Sequence, residues 1–243
     1  MFVGIRNFLV KCCPHLTKPP LTGKASEYHR YITSGYPSNH TYRIKQNKLI
    51  PSYKLASRYK KIQKLLPKNM TSLGEIGCSK GFFIFSATAQ PHCTRAVGID
   101  VNHYDIEVCH WVKTALNDQR AAFAKMQLHE LASRIEEFGG PLQTLLILNT
   151  YQYLYFGSDS FPECYLSHED IFYNLRKICT GRIIFNNRIS LKDCQNVKRI
   201  AEASEMSRQN YSEEKALAAA SQYFIVKRHG KIGKYPLVTM DVI

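Results

Sequence analysis

Acidic residues are almost missing from the first part of this 243-residue sequence. Residues 1–70 hold 14 Lys/Arg and one acid, Glu27, while residues 71–243 hold 19 Lys/Arg and 18 acids. Nearly all of the formal charge of +14 therefore lies in the first 70 positions. Such asymmetry points to an anionic target (nucleic acid, an acidic membrane surface or a phosphorylated substrate) or to a solvated basic tail and helix face. The eight cysteines form no C-x-x-C pair and no Cys/His ligand spacing. A zinc site or a disulfide framework is not expected, and free thiols in a reducing, cytoplasmic setting are. A secretory signal is lacking too, because Arg6 and Lys11 interrupt the apolar start and no small-residue cleavage site follows. The longest uncharged run, 138–158, contains Gly-Gly-Pro, Asn149 and two glutamines, so it reads as strand plus loop and not as a membrane span.

What is present is more specific. Residues 72–83 read Ser-Leu-Gly-Glu-Ile-Gly-Cys-Ser-Lys-Gly-Phe-Phe, and 96–100 read Ala-Val-Gly-Ile-Asp. An apolar strand runs into a glycine turn, a helix opens near Lys80, and a second strand ends on Asp100, 19 positions past Gly81. A side chain at Gly77 or Gly81 is expected to crowd a ligand lying on the backbone. The opening helix presents free N–H groups to that ligand. Asp100, at the carboxyl end of a parallel strand, can accept the hydroxyls of a ribose. A dinucleotide fingerprint needs a third glycine where Ser79 stands. Glu75, before the turn, repels a pyrophosphate but can hold an ammonium. A ribose at one end and an amino acid at the other describe S-adenosylmethionine.

On these residues, and on the strand pattern below, roughly residues 60–243 resemble the class I S-adenosylmethionine-dependent methyltransferases. The resemblance implies that Glu75 meets the methionine amine, that Gly77, Cys78, Ser79 and Gly81 contact the cofactor through backbone, and that Asp100 with its neighbour Val101 holds the ribose side. Gln127 is expected to serve the adenine amino group, and Asn149 to lie beside the transferable methyl. Lys80 is expected to face solvent. The chain departs from family patterns at Asn149-Thr150-Tyr151-Gln152-Tyr153. That run lacks both the Asn/Asp-Pro-Pro-Tyr signature and a Glu-His pair, which leaves Tyr153 and His168 as candidates for a catalytic role. Asn186, Asn187 and Arg188 are candidates for orienting an acceptor. No metal ligand set is expected.

Around this nucleus, strands are expected at 72–77, 95–100, 121–126, 144–149 and 182–187. Helices are expected at 80–89, 104–117, 129–138, from Ser167 onward, and as one long stretch over 192–220; 150–166 reads as a loop. Tyr223–Arg228 and Pro236–Val242 form a hairpin with Gly230 and Gly233 between them. The implied fold is α/β: a Rossmann-like, mostly parallel seven-stranded sheet with an antiparallel C-terminal hairpin supplying the edge strand, and helices on both faces. Two regions follow: a basic extension, 1–66, and a methyltransferase-like domain, 67–243. Within the extension, 1–13 suits a short amphipathic helix for the domain or a membrane surface, beside Cys12-Cys13. The Tyr/His/Lys/Arg-rich stretch 26–48 suits a lid over the cofactor or a nucleic-acid grip. The helix at 52–66 places Tyr53, Leu55, Ala56, Tyr59, Ile62, Leu65 and Leu66 on one side and Lys54, Arg58, Lys60, Lys61 and Lys64 on the other. The expected activity is methyl transfer to an anionic small-molecule or glycan acceptor; an RNA acceptor, or a cofactor-binding scaffold without turnover, are the alternatives.

Overall fold

The computed structural model describes residues 22–158, 161–194 and 197–243. The expected helix at 1–13 and Cys12-Cys13 lie outside these residues. The chain enters through helix α1 (Gly23–Ser34), a tight hairpin of β1 (Tyr42–Lys45) and β2 (Lys48–Pro51), and helix α2 (Tyr53–Gln63). Alternating units follow: β3 (Ser72–Ile76), α3 (Phe82–Thr88), β4 (Arg95–Asp100), α4 (His103–Leu116), β5 (Ala121–Lys125), α5 (Leu128–Arg134) and β6 (Leu142–Leu148). Then come α6 (Tyr151–Phe156), α7 (His168–Ile178), β7 (Cys179–Asn186), α8 (Glu205–Asn210), α9 (Glu213–Ala220), β8 (Phe224–Ile232) and β9 (Tyr235–Val242).

The last seven strands form one sheet in the order β5-β4-β3-β6-β7-β9-β8. Pairing is parallel from β5 to β7. β9 is antiparallel to both β7 and β8. The antiparallel strand is thus the penultimate one and not the edge, because β9 turns back against β7 and leaves β8 outside. The order reverses between β3 and β6, which opens a crevice at the carboxyl ends of those two strands, where ligands bind in open α/β sheets. β3 is buried at every position and β6 at all but Gln143, as strands covered on both faces must be. One face packs Leu73, Phe83, Ile84, Val108 and Val112 with Tyr28, Ile32, Leu55 and Ile62 of α1 and α2. The other packs Leu131, Ile171, Leu175, Ile183 and Ala216 beneath α5, α7 and α9. Residues 22–66 of the basic extension therefore share a core with the rest of the domain.

Two expectations over longer stretches are corrected. The region 192–220 is not one helix. Ser204 accepts from the Ser207 N–H and Ser212 from the Lys215 N–H, and these caps start α8 and α9 afresh. A serine hydroxyl offers the backbone a partner that competes with helix continuation. The expected loop at 150–166 begins with α6. Gly230 lies inside β8 at a register shift between Arg228 and Lys231, and Gly233 makes the turn. Among the described residues no helix is long and apolar enough to cross a membrane. Ser212→Ala is expected to lower the unfolding free energy by about 1 kcal/mol, read from urea denaturation; an unchanged midpoint would mean that the cap does not set this boundary.

Candidate functional site

β3 delivers Glu75 to the crevice and then turns sharply, with Gly77 at φ +75°, Ser79 at +47° and Gly81 at +72°. These left-handed angles favour glycine at two of the three positions. The protein itself already crowds a side chain there. A Cβ on Gly77 would lie 2.2 Å from Thr150 Oγ1, and one on Gly81 2.9 Å from Cys109 Sγ and 3.0 Å from Phe123. The Gly77 and Cys78 N–H groups both donate to the Ile99 carbonyl, at 2.8 and 2.9 Å. The turn is thereby clamped to β4 before any ligand arrives. The Cys78 thiol is buried against Gly98, consistent with a packing role.

Asp100, at the end of β4, accepts from the Ser79 N–H through Oδ2 (2.8 Å) and from the Asn102 N–H through Oδ1 (2.9 Å). An ionised carboxylate offers about four lone-pair sites, so each oxygen keeps capacity for another donor. Burial raises its pKa, and the N–H groups of Asn102, Ser79 and Val101 oppose that rise. Val101 thus reaches the site through its backbone.

Lys80 does not face solvent: it is 1% exposed. Its ammonium donates to the carbonyls of Gly35 (2.7 Å) and Pro37 (3.5 Å) and sits 4.4 Å from the centre of the Tyr31 ring. Tyr42 donates to the Lys80 carbonyl at 2.6 Å. Burial lowers the Lys80 pKa to about 8, while the Asp105 charge opposes the fall. Tyr31 donates to Asp105 (2.8 Å) and Tyr28 to Glu107 (2.9 Å), both on α4. Tyr28, Tyr31 and Tyr42 of the basic, aromatic stretch thus turn inward, whereas Tyr36 is exposed, and residues 22–51 close over the glycine turn.

On α2 the sequence reading misplaced Tyr53, which was grouped with the apolar side yet is exposed, and Arg58. Arg58 was grouped with the α2 lysines, yet it lies on the buried side with Leu55 and Ile62, 6% exposed. Its Nη1 meets His40 Nε2 at 2.8 Å, and its guanidinium lies over the Phe83 ring. Burial, then the charges of Arg58 and Lys80, lower the His40 pKa to about 3, so the ring is neutral and its Nε2 accepts from Arg58. Glu75, 1% exposed, feels the Arg58 charge without forming an ion pair with it. Burial pushes the Glu75 carboxyl well above its usual range; Arg58 opposes this and Asp100 adds to it.

Arg58 Nη2, Glu75 Oε2, Ser79 Oγ, Asn149 Oδ1 and Gln152 Oε1 are buried with no hydrogen-bond partner. Such orphans are costly, on the order of 1–3 kcal/mol each and more when charged. They come from the carboxyl ends of neighbouring strands, the turn between them, and the helix that faces Glu75. A cation, an acid and three neutral groups, all unsaturated, fit a zwitterion with a polar extension.

Other expected site residues have structural duties. His168 Nδ1 accepts from the Tyr151 hydroxyl (2.6 Å) and its Nε2 donates to the Asn210 carbonyl (3.1 Å). Both ring nitrogens are used inside an aromatic cluster with Tyr155 and Tyr211, which leaves none for proton transfer at the crevice. Tyr153, on α6, is partly exposed. Gln127 caps α5 in a reciprocal box with Glu130, and its Nε2 donates to Glu163 at 2.9 Å. Asn187 Oδ1 accepts from the Thr150 and Tyr151 N–H groups (2.8 and 3.0 Å), and its Nδ2 donates to the Ile147 carbonyl (2.6 Å). Asn186 Nδ2 donates to Tyr235 and Pro236 carbonyls. Asn187 thus shapes the loop after β6, while Asn186 ties the end of β7 to β9. That loop holds Asn149 at φ +61°, with the Gln152 amide donating to the Asn149 carbonyl (2.7 Å).

The fold is that of the class I S-adenosylmethionine-dependent methyltransferases. The chain is similar to the PH0226 protein of Pyrococcus horikoshii OT3 over 91% of its own length and 100% of the other, at 13% identity and a TM-score of 0.57. It is similar to the N-methyltransferase NodS of Bradyrhizobium japonicum WM9, solved with S-adenosyl-L-homocysteine, over 77% and 86% of the two chains, at 15% identity and a TM-score of 0.51. A third likeness, to EvdMO1, has 11% identity and a TM-score of 0.55 over 77% of this chain, which spans only 40% of EvdMO1. No protein-family model matches the sequence, and no curated protein matches it.

His40 gives a pH test of the Arg58 arrangement. Its folded-state pKa lies below the unfolded value, so the unfolded chain binds the extra proton between about pH 6.5 and pH 3. The stability that neutral His40 supports is present above pH 6.5 and is lost as the pH falls through that window. Urea denaturation from pH 7 to 4 is expected to show a slope that His40→Gln reduces by about one proton equivalent. An unaltered slope would contradict a neutral His40 against Arg58.

Proposed function

We propose that this protein is an S-adenosylmethionine-dependent methyltransferase acting on a small-molecule or glycan-type acceptor of negative charge. The observation that carries this is a pair of buried groups with unsatisfied atoms, the Arg58 guanidinium on α2 and the Glu75 carboxyl near the end of β3. In this proposal Arg58 Nη2 receives the carboxylate of the methionine moiety and Glu75 Oε2 its ammonium. Asp100 accepts the ribose hydroxyls with its remaining lone pairs, and Gly77 to Gly81 form the floor. When bound, the cofactor supplies a methyl group on a sulfonium, open to in-line displacement by an acceptor nucleophile.

The chain's own share of the work is then mainly positioning, which alone accounts for a large part of such barriers. Asn149 Oδ1 and Gln152 Oε1 are hydrogen-bond acceptors held rigidly beside the turn, suited to an N–H or O–H donor on the acceptor. Of the two candidate catalytic groups, Tyr153 is the one with access to solvent. A base is required only for an acceptor that must lose a proton to become nucleophilic. The anionic preference is supported by the surplus of Lys and Arg in the segment that closes over the site.

Calorimetry with S-adenosyl-L-homocysteine tests the proposal. Arg58→Met and Asp100→Ala are each expected to weaken binding at least tenfold while leaving the circular dichroism unchanged. Undiminished affinity in both variants, or no binding by the wild type, would overturn it.

A further inference from the structure

Two stretches of this sequence carry no acid at all: residues 28–74, with 10 Lys/Arg, and residues 215–240, with 5. They are far apart in the chain, yet the fold brings them together. Lys61 on α2 donates to the Lys231 carbonyl on β8 at 3.2 Å. The lysine face of α2 therefore continues onto the C-terminal hairpin.

At 3.6 residues per turn, Lys54, Lys60, Lys61 and Lys64 fall within roughly a third of the circumference of α2. All four are exposed, as are Lys231 and Lys234 on the hairpin. Among the described residues none of these six lysines is in an ion pair, whereas arginines elsewhere on the surface are matched, as in Arg134–Glu137, Arg199–Glu202 and Arg228–Glu213. Like charges three and four apart destabilise a helix, and α2 has no acid in its first turn and no side-chain N-cap to offset them. Tyr53 projects from the same arc. It is 89% exposed, and among the described residues no ring or hydrogen bond engages it. It stands about 12 Å along the helix from Lys61.

A row of unpaired ammonium groups with a bare aromatic ring in line is the arrangement that grips a phosphodiester backbone while stacking on a base. We infer that the joined face of α2 and the β8–β9 hairpin binds a single-stranded polynucleotide. The inference stands on surface residues alone and does not rest on the methyl-transfer proposal. An anionic bilayer is the less suited partner, since Tyr53 is the one large apolar side chain within the α2 lysine arc.

The test is fluorescence anisotropy of a labelled 20-nucleotide oligouridylate with the full chain over 50–300 mM salt. Wild type is expected to bind with a log–log salt slope of about −3 to −4, from four or five backbone contacts at about 0.7 each. Lys61→Gln/Lys64→Gln/Lys231→Gln is expected to flatten that slope by about 2. Tyr53→Ala is expected to weaken binding about tenfold at unchanged slope, the signature of a stacking contact. Absence of binding would overturn the inference. So would equal competition by inorganic polyphosphate together with indifference to Tyr53→Ala, which would mark a general polyanion sink. Retention on phosphatidylserine vesicles without oligonucleotide binding would assign the face to a membrane and overturn it as well.

Discussion

A carboxylate at the end of a central parallel strand has no water to turn to. Glu75 is enclosed by β4 and β6 on either side and by packed helices above and below, and it is the constraint around which the site is built. Its compensation comes from Arg58, which α2 lowers into the same interior, with neutral His40 holding the far side of the guanidinium. The Arg58 charge opposes the burial that favours the protonated Glu75 carboxyl, and each of the two groups keeps a buried atom without a hydrogen-bond partner. A closed ion pair would satisfy both groups and leave nothing to bind. An open pair reserves a slot with one positive and one negative wall.

The rest of the local architecture keeps that slot open and in register. The glycine turn is clamped to β4 by the Ile99 carbonyl, and Thr150 presses on it from the loop after β6. Asn187 fixes that loop from beneath with three hydrogen bonds. From outside, Lys80 reaches up into the segment that closes the site and meets two backbone carbonyls and a tyrosine ring. Each of these contacts joins segments distant in sequence, so the geometry of the crevice is a property of the whole domain. The same extension presents its lysines outward on α2, so one short helix serves an inner, site-facing role and an outer, charged one.

The parts of this design that sequence made legible are those with local signatures. Gly77 and Gly81 punctuate a turn, Asp100 ends an apolar strand at the right distance, and β6 announces its burial by an unbroken apolar run. These placed the sheet and the crevice at its switch point. What remained hidden depends on partners far along the chain. Arg58 looked like one more cation on a lysine-rich helix, although its spacing of three from Leu55 and four from Ile62 already set it on the inner face. Lys80 looked like a solvent residue because nothing in its neighbourhood reveals carbonyls 43 and 45 positions upstream. His168 looked available for catalysis because Tyr151 and Asn210, which occupy it, come from elsewhere in the chain. The stretch 192–220 has helical composition throughout, and the caps of Ser204 and Ser212 start two separate α-helices within it.

The central claim is that Glu75 and Arg58 are held apart to take a zwitterion between them. In the free protein, burial favours the protonated Glu75 carboxyl; an incoming ammonium would favour the ionised form and expel the proton. The most direct measurement is calorimetric binding of S-adenosyl-L-homocysteine at pH 7 in buffers of differing ionisation enthalpy. The wild type is expected to release up to about one proton per site, and Glu75→Gln none. Tight binding with no proton released by the wild type, or equal release by the variant, would contradict the claim.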